Sequence, residues 1–136
     1  MEILIDTNII LDIVQKREPW FSSSYLVFKS CIQKKHNGYV SAHSLSDIFF
    51  ILRKTCDLQA RKNVITLLCT YFTVIPEDGN AYLSVAQNQM MEDLEDGLQM
   101  HCAENCNLDY IITRNIKDFS NSSISAIEPQ EFIKEE

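Results

Sequence analysis

Six side chains with oxygen donors stand near the ends of predicted strands or the starts of predicted helices, in separate segments of the chain: Asp6, Asp47, Asp93, Asp96, Asn115 and Asp118. Carboxylates and amide carbonyls are the ligands that hard cations such as Mg²⁺ and Mn²⁺ prefer. Carboxylates that converge without a cation repel one another and lose stability or take up protons. If the fold brings these segments together, the pattern predicts a site for a divalent cation.

Each of these side chains also has a purely structural interpretation. Asp6, Asp93 and Asp96 stand where carboxylates cap or stabilise a helix amino terminus. Asp118 is suited to an Asx turn. Asp47 differs, because helical spacing places it beside apolar residues one turn further on. Burying an unpaired charge is expensive, so we expect a cation or a hydrogen bond from a neighbouring hydroxyl or amide at Asp47.

Short apolar runs alternate with helical stretches along the chain, which predicts a parallel sheet with helices on both faces. The predicted strands cover residues 2–6, 39–41, 72–75, 109–113 and 124–127, and the predicted helices cover residues 7–15, 20–36, 43–55, 57–70, 81–89 and 93–106. We therefore expect one domain over residues 1–136, an α/β fold with three α/β/α layers and a central, mostly parallel sheet of four to five strands. Such sheets bind ligands at the carboxyl ends of their strands, which is where the acidic residues fall.

The charges of the chain are unevenly distributed. With 19 acidic residues against 12 Lys and Arg, the formal net charge is −7, which by itself argues against a nucleic-acid-binding protein. However, residues 16–62 contain nine basic and three acidic residues, whereas residues 63–113 contain eight acidic residues and no Lys or Arg. The basic region is suited to phosphate groups and the acidic region to a cation, so the net charge does not exclude a nucleic-acid ligand.

The five cysteines are odd in number and include no C-x-x-C pair, which indicates reduced thiols. His101, Cys102 and Cys106 could begin a helical metal site, although buried and unreactive thiols are the alternative. The sequence shows neither a secretory signal nor an apolar run long enough to cross a bilayer. We therefore expect a soluble, cytoplasmic protein with no membrane partner.

The segments that carry the acidic residues resemble the successive sequence blocks of PIN-domain nucleases. They read ILIDTNIILD (residues 3–12), YVSAHSLSD (39–47), DLEDGLQ (93–99) and DYIITRN (109–115) continuing to residue 119, and residues 128–132 (EPQEF) resemble the family's ending. Within that superfamily the chain is similar to the small VapC-like toxin components of prokaryotic toxin-antitoxin pairs. The resemblance implies a PIN-like fold.

The resemblance also implies roles for individual residues. It makes Asp6 the first metal ligand, Asp47 the second acid and Asp96 the third, so that these three are the implied catalytic residues. Asp93 is a neighbour that assists in holding the metal.

Two positions depart from the family pattern. The family's fourth acidic position corresponds to Asn115, for which Asp118 is the candidate substitute as a metal ligand. The second position is commonly Glu, and Asp47 is shorter by one methylene. These departures leave occupancy by one or two metal ions open. The polar family positions that orient ligands or water correspond to Asn8, Ser44 and Thr113.

The implied activity is metal-assisted hydrolysis of RNA phosphodiester bonds with Mg²⁺ or Mn²⁺, in which a bound water is the nucleophile. RNA is then the substrate, and an antitoxin protein and a second copy of the chain are the implied partners. Several basic residues are candidates for salt-sensitive contacts with the RNA phosphates, among them Arg53, Lys54 and Arg114. For most of these residues a solvated helix face is the alternative interpretation.

Two other functions are compatible with the sequence. A catalytically inactive PIN-like module that binds RNA or a protein is favoured by Asn115 and by the short side chain of Asp47. A phosphoryl-transfer enzyme with Asp6 as its nucleophile fits an aspartate at the end of a first parallel strand. The sequence lacks the second aspartate that such enzymes usually carry two residues later.

Overall fold

Short apolar segments form the strands of this protein, and longer amphipathic segments form its helices. The computed structural model describes all 136 residues. In chain order the elements are β1 (Glu2–Ile5), α1 (Thr7–Val14), α2 (Phe21–Ile32), β2 (Asn37–Ser41), α3 (Ala42–Ile51), α4 (Leu58–Tyr71), β3 (Thr73–Ile75), α5 (Gly79–Ala86), α6 (Leu94–Asn105), β4 (Tyr110–Ile112), β5 (Ser125–Ile127) and α7 (Pro129–Glu135). Two 3₁₀ helices, Leu52–Lys54 and Ile116–Phe119, follow α3 and β4. None of the helices combines the length and the apolar character needed to cross a bilayer.

The five strands form one parallel sheet in the order β3-β2-β1-β4-β5. Strand β1 lies in the centre, and its register places Leu4 opposite Tyr39 of β2 and Ile111 of β4. The chain leaves β1 toward β2 and β3, and later returns to the other side of β1 to form β4. The carboxyl ends of β1 and β4 therefore flank the point at which the strand order reverses, where open parallel sheets bind ligands.

Alternation along β1 supplies two hydrophobic cores. Ile3 and Ile5 belong to the larger core, to which α1, α2, α3, α4 and α7 contribute. Leu4 faces the opposite side and packs in a smaller core with Cys102 of α6 and Phe119 of the second 3₁₀ helix. The sheet is thus covered by helices on both faces, which confirms the predicted α/β/α sandwich.

The helix predicted over residues 20–36 is too long at its carboxyl end. Helix α2 covers Phe21–Ile32 and is followed by Lys34, whose φ of 61° lies in the left-handed region. Strand β2 then begins at Asn37, two residues earlier than predicted. Glycine is required at position 38 of that strand, because a Cβ atom there would lie 2.5 Å from the ring of Phe72 and 2.9 Å from the sulfur of Cys31.

Helix α7 was not among the predicted elements. It begins with Pro129 in its first turn, a position that the fixed φ of proline favours. Phe132 anchors the helix, since it is 1% exposed and lies edge-on against the rings of His36 and Tyr110. Seven residues are too few to show a clear helical period, so packing rather than pattern determines this helix.

Candidate active site

Asp6 directly follows β1 and is buried, with 4% of its surface exposed. Its carboxylate is held from two sides: Oδ1 accepts a hydrogen bond from Gln99 Nε2 at 2.9 Å, and Oδ2 accepts one from Thr113 Oγ1 at 2.8 Å. Burial raises the pKa of Asp6, while these hydrogen bonds and the backbone of Thr7 and Asn8 act in the opposite direction. Both side-chain donors are neutral, so they orient the carboxylate without neutralising its charge.

Buried hydroxyl groups fix the frame around Asp6. Thr113, fully buried at the end of β4, accepts a hydrogen bond from the backbone N–H of Asn115 at 3.0 Å and donates to Asp6. The hydroxyl oxygens of Thr7 and Ser44 lie 2.8 Å apart and join the first turns of α1 and α3. Both helices therefore start from a fixed position at the carboxyl edge of the sheet.

Asp96 lies in the first turn of α6, and the carboxylates of Asp93 and Asp118, which are more exposed, lie nearby. Burial raises the pKa of Asp96 to about 7, and the negative charges of Asp93, Asp118 and Asp6 contribute to the shift. Asp93 caps α6, since its Oδ1 accepts a hydrogen bond from the backbone N–H of Asp96 at 3.0 Å. A cavity of about 360 Å³ is lined by Asp93, Asp96 and Asp118, with Lys117 among the other lining residues. This is the open part of the site.

Asp47 and Glu95 form a second carboxylate pair. Asp47 lies on α3 and is half-buried, and its Oδ2 atom is buried without a hydrogen-bond partner. The neighbouring Asp47 carboxylate, through its contact with Glu95 and its charge, raises the pKa of Glu95 to about 7, and burial contributes to the shift. Two carboxylates this close do not both ionise readily. Either a proton or a cation must therefore compensate the pair.

His43 adjoins this pair and is held by the buried carboxylate of Glu77. Glu77 follows β3, and its side chain is 2% exposed. Its carboxylate accepts a hydrogen bond from the backbone N–H of His43 at 2.7 Å, and its two oxygens lie 2.8 and 2.9 Å from His43 Nδ1. Burial lowers the pKa of His43, but the hydrogen bond and charge of Glu77, with the charges of Asp47 and Glu95, raise it overall. The other ring nitrogen, Nε2, is buried and has no hydrogen-bond partner.

The donor set of the site fits a bound cation. Asp47 Oδ2, Gln99 Oε1 and His43 Nε2 are all buried atoms without a hydrogen-bond partner, which is rare in folded proteins. Oxygen atoms and imidazole nitrogens are common metal ligands. No three His, Cys, Asp or Glu side chains are yet arranged to hold an ion together. A cation would therefore have to draw in the carboxylates that repel one another in its absence.

Arg114, which directly follows Thr113, is engaged in a different, internal cluster. Its Nε and Nη2 atoms donate to the two carboxylate oxygens of Asp12 at 2.7 and 3.0 Å. Asp12 is fully buried, and Arg17 Nη1 lies 3.6 Å from it. The guanidinium of Arg114 also lies 3.9 Å above the ring of Trp20. Arg114 thus neutralises a buried aspartate.

Arg53 and Lys54 lie away from the carboxylates. They belong to the 3₁₀ helix after α3, six and seven residues beyond Asp47, which corresponds to about 10 Å of helical rise. Arg53 donates a hydrogen bond to the backbone carbonyl of Phe50 at 2.7 Å, and its guanidinium lies 3.6 Å above the Phe50 ring. Both basic side chains are exposed.

The cysteine cluster on α6 is not a metal site in the structure. Cys102 is buried, in agreement with the alternative of buried thiols, whereas Cys106 is exposed; none of the five cysteines is paired in a disulfide. Nε2 of His101 lies 2.9 Å from Nδ2 of Asn105. No group of three potential ligands forms here or elsewhere in the chain.

Four side chains of the site were missed from the sequence: His43, Glu77, Glu95 and Gln99. Glu77 follows a strand end, so the rule that selected Asp6 could also have found it. Gln99 lies three residues after Asp96 on the same helix and therefore shares its face. Glu95 is adjacent to Asp96, and only the position of α3 shows that it meets Asp47.

A family model described as PIN domain matches residues 2–117 of the chain. No curated protein matches the sequence. The crystal structure of Mycobacterium tuberculosis VapC20, a toxin that cleaves the sarcin-ricin loop, is 14% identical and has a TM-score of 0.74 over 93% of this chain and 99% of that chain. VapBC2 from Rickettsia felis, bound to a promoter DNA fragment, is 17% identical, with a TM-score of 0.69 over 94% and 98% of the two chains.

FitAcB from Neisseria gonorrhoeae is 16% identical, with a TM-score of 0.66 over 94% of this chain and 98% of that chain. At these identities the likeness to solved structures concerns the fold. The family model, in contrast, covers β1 to β4 with the helices between them and includes Asp6, Asp47 and Asp96. The chain therefore belongs to the PIN-domain family.

Proposed function

We propose that this protein is a metal-dependent endoribonuclease that serves as the toxin of a toxin-antitoxin pair. The observation that carries this proposal is the environment of Asp6. It is a buried carboxylate oriented by two neutral donors and adjacent to Asp96, whose pKa is raised to about 7. Such an arrangement is costly for the protein alone and becomes favourable when a cation binds.

Asp6 and Asp96 are the principal ligands proposed for Mg²⁺ or Mn²⁺. The further ligands proposed are Asp47, Asp93, Asn115 and Asp118. A bound ion would supply the activation of a water molecule as nucleophile and the stabilisation of the leaving oxygen. Gln99 and Thr113 keep the carboxylate of Asp6 in one orientation, so that little reorganisation is needed when the ion binds.

Several features support RNA as the substrate. The cavity beside Asp96 is open to solvent and carries Lys117 at its lining, where a phosphate group could enter. Arg53 and Lys54 provide exposed positive charge further along α3 and its extension, suited to more distant phosphates of the same strand. VapC20, which shares the fold, is described as cleaving the sarcin-ricin loop.

An antitoxin is the proposed protein partner. VapBC2 was solved with DNA from its promoter, and another structure with this fold is described as a toxin-antitoxin complex from Klebsiella pneumoniae. Exposed apolar side chains near Trp20 and Phe50 offer surface for an antitoxin or for a second copy of the chain.

A cleavage assay tests the proposed activity. Labelled RNA is incubated with the protein in Mg²⁺, Mn²⁺ or EDTA, beside the variants Asp6→Asn and Asp96→Asn. We expect cleavage with either ion, none in EDTA, and at least about a hundredfold loss in both variants, since each removes a ligand charge. Asp57→Asn is the matched control, because Asn still caps α4 and Asp57 lies outside the site.

The other possible functions give different results in the same assay. Cleavage that continues unchanged in EDTA contradicts the metal-dependent mechanism. An inactive binding module, which Asn115 in place of a fourth acid favours, would bind RNA or a protein without cutting RNA in any ion. A phospho-Asp6 intermediate formed from a small phosphate ester would indicate phosphoryl transfer instead.

A further inference from the structure

His43 and Asp47 present two buried, unpartnered atoms on the same face of α3. The residues are four positions apart, so their side chains lie one helical turn from each other. The side chain of His43 is 9% exposed, and neither His43 Nε2 nor Asp47 Oδ2 has a hydrogen-bond partner. A nitrogen and an oxygen left without partners in the same buried region indicate a ligand that satisfies both.

Glu77 fixes the imidazole of His43 in the orientation that metal-binding histidines adopt. The backbone N–H of His43 anchors the carboxylate at 2.7 Å, and both carboxylate oxygens lie within 2.9 Å of Nδ1. An Nδ1–H group that donates to a carboxylate leaves the lone pair of the neutral ring on Nε2. The same carboxylate–histidine arrangement orients histidine ligands in metalloproteins and makes the ring a stronger ligand.

Carboxylates on three different segments surround His43. The carboxylates whose charge acts on the imidazole, besides Glu77, are those of Asp47 on α3 and Glu95 on α6. Asp96, on α6, is in turn influenced by His43. Asp47 and Glu95 repel each other, and a divalent ion bound beside both carboxylates would offset that cost.

We propose that His43 Nε2 is a ligand of a divalent transition metal ion, together with Asp47 and Glu95. The proposal rests on the proposed metal dependence and extends its ligand set, which otherwise consists of oxygen atoms. Imidazole nitrogen favours later first-row ions such as Zn²⁺, whereas Mg²⁺ favours oxygen. Because no three ligands are already gathered, the side chains of Asp47 and Glu95 must move toward Nε2 when the ion binds.

Nitrogen-15 NMR of the histidine rings tests the assignment directly. The metal-free protein has three histidines in its 136 residues, and the variant His43→Gln identifies the signals of His43 by their loss. We expect Zn²⁺ to shift the Nε2 resonance of His43 while Nδ1 keeps its proton, and Mg²⁺ to leave both unchanged. His101 is an internal control, because Zn²⁺ bound at the neighbouring thiols would shift His101 instead.

Calorimetric titration with Zn²⁺ provides the second measurement. We expect His43→Gln to weaken binding by at least about tenfold. Glu77→Gln removes the charge beside the ring but keeps a side-chain oxygen for the backbone N–H of His43, and we expect it to weaken binding by up to about 100-fold. His101→Gln, a matched substitution on α6 outside the carboxylate cluster, should leave the affinity for this site unchanged. Circular dichroism in EDTA checks that each variant is folded, and the NMR result on the unmodified protein does not depend on them.

Two outcomes overturn the proposal, and they differ in what else they affect. If Zn²⁺ or Mn²⁺ binds in a manner that requires Asp6 and Asp96 but leaves His43 Nε2 unshifted, His43 is not a ligand and the proposed nuclease function stands. If no divalent ion binds the protein at all, both the histidine ligand and the proposed metal dependence are wrong.

Discussion

Asp6 and Asp12 are both buried, lie six residues apart around α1, and have opposite surroundings. Asp12 is fully buried and accepts two hydrogen bonds from Arg114, with Arg17 nearby. Asp6 accepts hydrogen bonds only from neutral groups and adds to the negative charge around Asp96. Both carboxylates have lost most of their hydration, but the protein supplies a cation to only one of them. A buried carboxylate without an internal cation is available for an external one.

Removing the charges of Asp12 and Asp6 in turn tests this difference most directly. Asp12→Asn leaves the guanidinium of Arg114 without its counter-charge, and breaking a buried ion pair in this way costs about 3–5 kcal/mol. Because Arg114 is 21% exposed, we expect a value near the lower end. Asp6→Asn removes a charge that has no counter-ion, so the free energy of unfolding should stay the same or increase. Urea unfolding in EDTA measures both. Equal destabilisation by the two substitutions would contradict the distinction.

Asp6 is held by the neutral donors Gln99 and Thr113 instead of a cation. Thr113→Val removes the hydroxyl that orients Oδ2, while the valine side chain, similar in size to threonine, still fills its place in the sheet. Removing such an outer partner of a metal ligand typically costs about 10- to 100-fold in activity or metal affinity. We expect the loss in kcat for RNA cleavage and in Mn²⁺ affinity, with little change in KM. Thr113→Ser keeps the hydroxyl and should restore most of the activity; a serine variant as impaired as the valine variant would argue for a packing role.

Local sequence patterns predict the fold and the positions of the acidic residues, but not the pairing of charges. The alternation of apolar runs is a local property, and it was sufficient for the layers of the fold. The position of Asp6 at a strand end and that of Asp96 at a helix start follow from the same local pattern. The pairs that determine the electrostatics, Asp12 with Arg114 and His43 with Glu77, join residues 102 and 34 positions apart. No local pattern identifies which charge meets which.

The pH dependence of stability is expected to reveal the carboxylates that lack an internal counter-ion, Asp96 and Glu95, in contrast to Asp12. The pKa values of Asp96 and Glu95 are raised to about 7, so between about pH 4 and pH 7 the folded state binds more protons than the unfolded state. Stability in EDTA should therefore fall as the pH rises through this range. His43, whose pKa is also raised, acts in the same direction at higher pH.

Thermal unfolding at several pH values, with EDTA or with Mn²⁺, measures this effect. We expect the melting temperature in EDTA to decline toward neutral pH, and Mn²⁺ to remove most of the decline because the ion replaces the protons. Asp96→Asn should flatten the profile in EDTA. A profile that is the same in EDTA and Mn²⁺ would mean that the carboxylates do not bind the ion.

The smallest expected effect separates the two groups of basic residues. Arg114 is committed to Asp12, whereas Arg53 and Lys54 are exposed and about 10 Å of helical rise beyond Asp47. Replacing both Arg53 and Lys54 with Gln should therefore weaken RNA binding modestly and leave kcat unchanged. For every phosphate that the variant no longer neutralises, the slope of log affinity against log salt concentration should become shallower by about 0.7.

Lys134→Gln, an exposed substitution on α7, is the matched control and should leave that slope unchanged. Since long-range attraction is screened within about 10 Å at moderate salt, only residues that touch the RNA alter the slope by this full amount. If the slope is unaffected in the double variant while binding of a protein partner weakens, the basic stretch is a protein-binding surface. RNA would then approach the carboxylates past Lys117, the cation that lines the cavity beside Asp96.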